Sequence, residues 1–229
     1  MLLLDAHVHI YQCFDLLLFF DHACGNFKAA AAGLGKGDLY QPVIVLSDWA
    51  KQRWFHFLKD LADRGPGVGQ NPLGSWRVTR TAEAESLIVV NGPYRIWVIA
   101  GRKIISRERH EVLATGVADG FSDGTPLDVI ITSIRDAAGV ALVPWAVGKW
   151  MGGRGKSLKE LVLKRNKDFI LCDNGNRPWF WPRPPLFSLS EQQGHRILAG
   201  SDPLHFASEA RRVGNFGVYG DVTLTEDRP

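Results

Sequence analysis

Near the start of the chain stand three residues whose types and spacing suit a metal: Asp5-x-His7-x-His9. Side chains alternate along a strand, so residues two apart share a face, and Asp5, His7 and His9 are expected to point the same way. Two imidazoles so placed can ligate one cation. The alternative is a pair of hydrogen-bonded histidines filling a polar core. A second set lies in Leu198-Ala199-Gly200-Ser201-Asp202-Pro203-Leu204-His205. Asp202 can serve as a ligand beside His7 and His9, or as the catalytic carboxylate that takes a proton from an activated water. It can also cap a helix beginning near Pro203. His205 is a weaker ligand candidate. This set is enough for one divalent metal (zinc, manganese or iron) with open positions.

Other polar residues are less tightly specified. Glu108, His110 and Glu111 form a cluster in which alternation puts Glu108 and His110 on one face. One of those two could complete the site, or all three could be solvated edge residues. Arg102 and Lys103 follow one apolar run, and Lys149 and Arg154 follow another. Arg154 lies in Gly152-Gly153-Arg154-Gly155, where backbone amides and cations could hold an anion. Five of the eight tryptophans, Trp49, Trp145, Trp150, Trp179 and Trp181, fall at or just after expected strand ends. They could line an aromatic pocket or plug the interior. Arg102, Lys103, Lys149, Arg154 and Trp145 are the candidates for binding a small anionic substrate.

The elements that must position these groups follow from periodicity and turn signals. Apolar runs at 2–10 and 42–46 read as buried strands, and 14–32 and 50–62 as helices, with Trp54, Phe57, Leu58 and Leu61 on one side of the latter. That opening order suits a parallel sheet with crossovers. Residues 65–74 form a Gly/Pro loop. Short strands follow at 76–81, 86–90 and 94–100, separated by turns such as Asn91-Gly92-Pro93. Thr125-Pro126 opens a helix that ends near Gly139. Strands are expected at 140–143, 168–171 and 196–199. Two capping boxes, Ser157-x-x-Glu160 and Ser188-x-x-Glu191, mark further helix starts.

Composition bounds the rest. With 229 residues, 45% apolar and 22% charged, the chain can bury one full core without staples. A net charge of +3 and no basic stripe give no nucleic-acid signature. Cys13, Cys24 and Cys172 are an odd number without metal-type spacing and suggest a reducing compartment. No export signal or membrane-length apolar run is visible, so a cytoplasmic location without membrane contact is the expectation.

The segments "DAHVHI", "IVLSDW" and "LAGSDPLH" together resemble the PHP (polymerase and histidinol phosphatase) family, within the amidohydrolase-like barrels. The resemblance implies one α/β domain over 1–229, a distorted TIM-like barrel of seven to eight strands, with a short antiparallel insertion around 74–105. It implies metal-dependent hydrolysis of a phosphate ester. The chain departs from the family's pattern at several ligand positions. Ser47-Asp48-Trp49 stands where the family has Thr-Asp-His, Gly101-Arg102-Lys103 where a glutamate is usual, and Val143-Pro144-Trp145 where His-Pro is usual. His205 lies three residues after Asp202 instead of two. The surviving set supports one metal, or a catalytically degenerate barrel that binds an anion or a protein partner.

Overall fold

The chain opens with strand β1 (Leu2–Val8), helix α1 (Leu16–Gly33), β2 (Gln41–Leu46) and α2 (Trp54–Arg64) in this computed structural model, which describes residues 1–65, 71–165 and 168–227. β1 and β2 pair in parallel, as a strand–helix–strand crossover allows. Asp15 starts α1 by accepting from the Leu18 N–H at 3.1 Å. Phe19, Phe20, Ala23, Phe27 and Ala31 form the buried stripe of that helix and pack over β1 and β2. α2 begins later than expected, at Trp54. Asp48 serves its first turn from upstream: its Oδ2 reaches forward to accept from the Phe55 N–H at 2.8 Å. Residues 66–70 of the expected Gly/Pro loop lie outside the described residues.

A meander follows, β3 (Arg77–Arg80), β4 (Ser86–Asn91) and β5 (Tyr94–Ile99). β4 and β5 turn at Gly92, whose φ of 57° favours glycine. β5 then pairs in parallel with β2. With β11 (Val218–Gly220) on the far side of β1, the first sheet has the order β11-β1-β2-β5-β4-β3. Ala100 separates β5 from β6 (Gly101–Ile105), the first strand of a second sheet. That sheet adds β7 (Glu111–Thr115), β8 (Val140–Pro144), β9 (Phe169–Asn174) and β10 (Leu198–Gly200) in the order β10-β9-β8-β7-β6.

This corrects the expected TIM-like barrel. The strands form two open, mixed sheets. A barrel of that type needs one continuous ring of parallel strands, whereas β3, β4, β7 and β11 each run antiparallel to a neighbour. The stretch around 74–105 is no insertion: it supplies three strands of the first sheet and opens the second. Where the sheets meet, isolated bonds replace a ladder. Asp202 N–H donates to His7 O at 2.8 Å, and Lys103 N–H donates to Asp48 O at 2.6 Å. Gly200 permits the first of these seams, since a Cβ there would stand 2.3 Å from His7 N.

Helices α3 (Leu127–Asp136), α4 (Gly152–Arg165) and α5 (Pro185–Gln192) cover the outer face of the second sheet through Ile131, Ile134, Leu158, Val162 and Phe187. Between the sheets lie Ala6, Leu113, Leu142 and Cys172. Both expected capping boxes fall inside helices. Gly152 and Pro185 open α4 and α5 upstream of them, and proline is well suited to a first helical position. No helix starts at Pro203. A 3-10 turn follows only at Ala207–Arg212, and Asp202 itself takes a positive φ of 43°. Among the described residues no helix is long and apolar enough to cross a membrane.

Candidate metal centre

β1 carries an irregularity that decides which of its residues meet. Asp5 pairs with Ile44 and Val8 with Leu46, so three steps on β1 oppose two on β2. Such a bulge turns the following side chains to the other face. Leu3 and Val8 accordingly pack on the same outer core although their numbers differ in parity. The expectation that Asp5 shares a face with His7 and His9 is therefore wrong. Asp5 is fully buried and spends both oxygens on backbone: Oδ1 accepts from Ser201 N–H at 2.8 Å and Oδ2 from Gly214 N–H at 2.9 Å. Burial pushes its carboxyl up to about 6, against those amide bonds, which favour the charged form.

His7 and His9 turn together to the other side, with Nε2 atoms 3.0 Å apart. Two carboxylates join them. Asp202 Oδ1 stands 3.4 Å from His7 Nε2 and 3.5 Å from His9 Nε2, and Glu111 Oε1 stands 3.5 Å from His7 Nε2. His7, His9 and Glu111 are all buried, and one ligand atom from each lies within 4.8 Å of the others. Donors holding one ion at about 2.1 Å are separated by about 3.0–3.4 Å in octahedral or tetrahedral geometry. The His7–His9 spacing of 3.0 Å falls in that range, and the imidazole–carboxylate spacings of 3.4–3.5 Å lie at or just above its upper end. The set whose ligand atoms all lie within 4.8 Å of one another comprises His7, His9 and Glu111, with Asp202 beside the two imidazoles.

Each carboxylate is anchored by its other oxygen. Lys149 Nζ binds Glu111 Oε2 at 2.6 Å, and Asn174 Nδ2 binds Asp202 Oδ2 at 2.5 Å. The Asn174 amide also reaches Trp145 O at 3.3 Å, which ties it to β8. The free oxygens are thus aimed at the imidazoles by neighbours, as supporting residues aim metal ligands elsewhere. Burial and the adjacent His7 push His9 down to about 3, so its imidazole keeps a lone pair. Burial alone would raise Glu111 and Asp202. The facing His7 imidazole, Lys103 and Lys149 outweigh it at Glu111, and the two facing imidazoles with the Asn174 bond outweigh it at Asp202, so both sit below the usual range. Tyr11 and Trp49 wall the cluster, with rings 5.8 and 5.7 Å from His9, and Lys103 Nζ lies 4.5 Å over the Trp49 ring.

Glu111 was the least visible member. Sequence alternation singled out Glu108 and His110, yet neither joins the cluster. Glu108 Oε2 accepts from Leu127 N–H at 2.9 Å at the start of α3. His110 is buried beside β7, and burial, then the Arg154 charge, holds its imidazole below the usual range. β7 runs antiparallel to β8, so its first residue, Glu111, lies at the end where β8, β9 and β10 finish.

The remaining candidates divide. Lys103 and Lys149 reach the cluster. Arg102 lies one residue off, on the other face of β6, where its charge acts on Asp48. Arg154 Nη2 is bound to Gly148 O at 2.8 Å and fastens the loop after β8. Trp145 packs on the helix side of β8 with Trp181, ring centres 6.1 Å apart. His205 is exposed and packs on Tyr11 at 4.8 Å, away from the imidazole pair.

No family model matches the chain, and no curated protein matches it in sequence. Among solved structures it is similar to "PsfC from Pseudomonas syringae PB-5123", with a TM-score of 0.45 and 11% identity over 88% of this chain and 75% of that one. That likeness is too slight to assign a family. With two open sheets and no matching family model, membership of the PHP family, expected from the three segments, is not upheld.

Proposed function

We propose that His7, His9, Glu111 and Asp202 hold one divalent cation and that the site hydrolyses a small anionic ester of the phosphate class. The observation that carries this reading is the pair of carboxylates, each anchored through one oxygen and presenting the other to the imidazoles. A bound divalent ion supplies a Lewis acid and brings the pKa of water toward neutrality. Asp202 Oδ1 is the group placed to accept the proton of an attacking water. Lys103 and Lys149 give the site its preference for anions. Two carboxylates balance one dication, so Lys103 and Lys149, the latter paired to Glu111 Oε2, would leave the loaded site net positive toward a negatively charged substrate.

A second reading is anion binding without catalysis. It is favoured by the direct Lys149–Glu111 pair, since two lysines can neutralise the two carboxylates with no metal at all. Hydrolysis of nitrophenyl phosphate by the purified chain separates the two. The first reading expects turnover that EDTA abolishes, that added zinc or manganese restores, and that is absent from Asp202→Asn. Metal-independent phosphate binding with no turnover under any metal would establish the second instead.

A further inference from the structure

On the helix side of β8, where Trp145 packs away from the imidazole cluster, lies a further cavity. Its volume is about 470 Å³, the size of a small-molecule site. Trp145, Trp150 and Trp181 form apolar walls, and Pro184 belongs to a proline-rich segment that closes the other side. Prolines fix their backbone, and Arg183 braces this segment with a two-bond ion pair to Glu191 at 2.6 and 2.9 Å. The wall is thus held open in advance, which lowers the ordering cost of binding.

Two further observations say what would enter. Lys156 and Lys159 line the cavity, and no carboxylate does so among the described residues. The Trp150 indole N–H, on the same wall, is buried and has no acceptor among the described residues. A buried donor without an acceptor is uncommon and points to a missing partner. Aromatic faces, two cations and an unmet donor together select one chemistry.

We propose that this cleft binds a small aromatic anion, a flat ring bearing a carboxylate or phosphate, at a site distinct from the candidate metal centre. The ring lies among the tryptophans and the proline wall, and the anion meets Lys156 and Lys159.

The test is calorimetric titration of the full chain, in excess EDTA, with naphthoate and with the neutral naphthalenemethanol. One saturable site for naphthoate is expected. In Lys156→Gln/Lys159→Gln, whose positions are exposed, naphthoate should weaken by about five- to tenfold while the alcohol is unchanged. Trp181→Ala should weaken both ligands. EDTA keeps the result independent of the metal reading, so either can fail alone. No saturable naphthoate binding, equal affinity for the two ligands, or a double variant that binds naphthoate as wild type would each overturn the proposal.

Discussion

Three buried carboxylates, Asp5, Asp48 and Glu111, and the partly buried Asp202 fall into two kinds. Asp5 and Asp48 accept from backbone amides, and burial raises them to about 6 and about 7. Glu111 and Asp202 accept from side chains, face imidazoles and ammonium groups, and are held below the usual range. The first pair spends its oxygens on holding the chain together. The second keeps one oxygen each facing His7 Nε2. Burial alone therefore does not mark a functional carboxylate; the identity of its partners does.

Removing a structural member should have the largest effect on stability. Asp5→Ala leaves two buried amide donors, of Ser201 and Gly214, without an acceptor. About 3–5 kcal/mol of lost stability is expected, read as a lower urea midpoint. An unchanged midpoint would dissolve the distinction between the two pairs.

The pH dependence sharpens it next. The fold favours neutral Asp48, so its contribution is full below the ordinary carboxyl value of 3.8 and is lost as pH rises through about 7. Asp48→Asn stays neutral and can still accept from Phe55 N–H. Between pH 4 and 8 the wild type should lose about 2–4 kcal/mol that the variant keeps, measured as urea midpoints along a pH series. Parallel pH curves for the two proteins would place the titration elsewhere.

The anchoring of the second pair gives the smaller effect. Asn174→Ala frees Asp202 Oδ2 without touching a ligand atom. Metal affinity should fall by about 10- to 100-fold, as when supporting residues are removed elsewhere, with the fold retained. Wild-type affinity in this variant would show that Asp202 needs no anchor.

How much of this was readable in advance depends on what each feature required. His7, His9 and Asp202 were readable because their spacing and the apolar runs beside them are local. The separation of Asp5 from the histidines was not, because a bulge exists only relative to a partner strand, and the register with β2 sets it. Glu111 needed the direction of β7, which its antiparallel pairings with β6 and β8 set. Asp202 followed by Pro203 reads as a helix start. The residue instead adopts a left-handed backbone, tolerated by aspartate more than by most residues, so that its N–H can reach His7 O. The barrel failed for a related reason: alternating strands and helices at the two ends of the sequence say nothing of the antiparallel strands between them.

The central claim is that four side chains from β1, β7 and the end of β10 form one cation site. Its most direct test is calorimetric titration of EDTA-stripped protein with zinc or manganese, repeated on His7→Ala/His9→Ala and on Glu111→Gln. The account predicts one ion per chain in the wild type, no binding in the double variant and strongly weakened binding in Glu111→Gln. Absence of binding in the wild type, or binding that all variants retain, would contradict it.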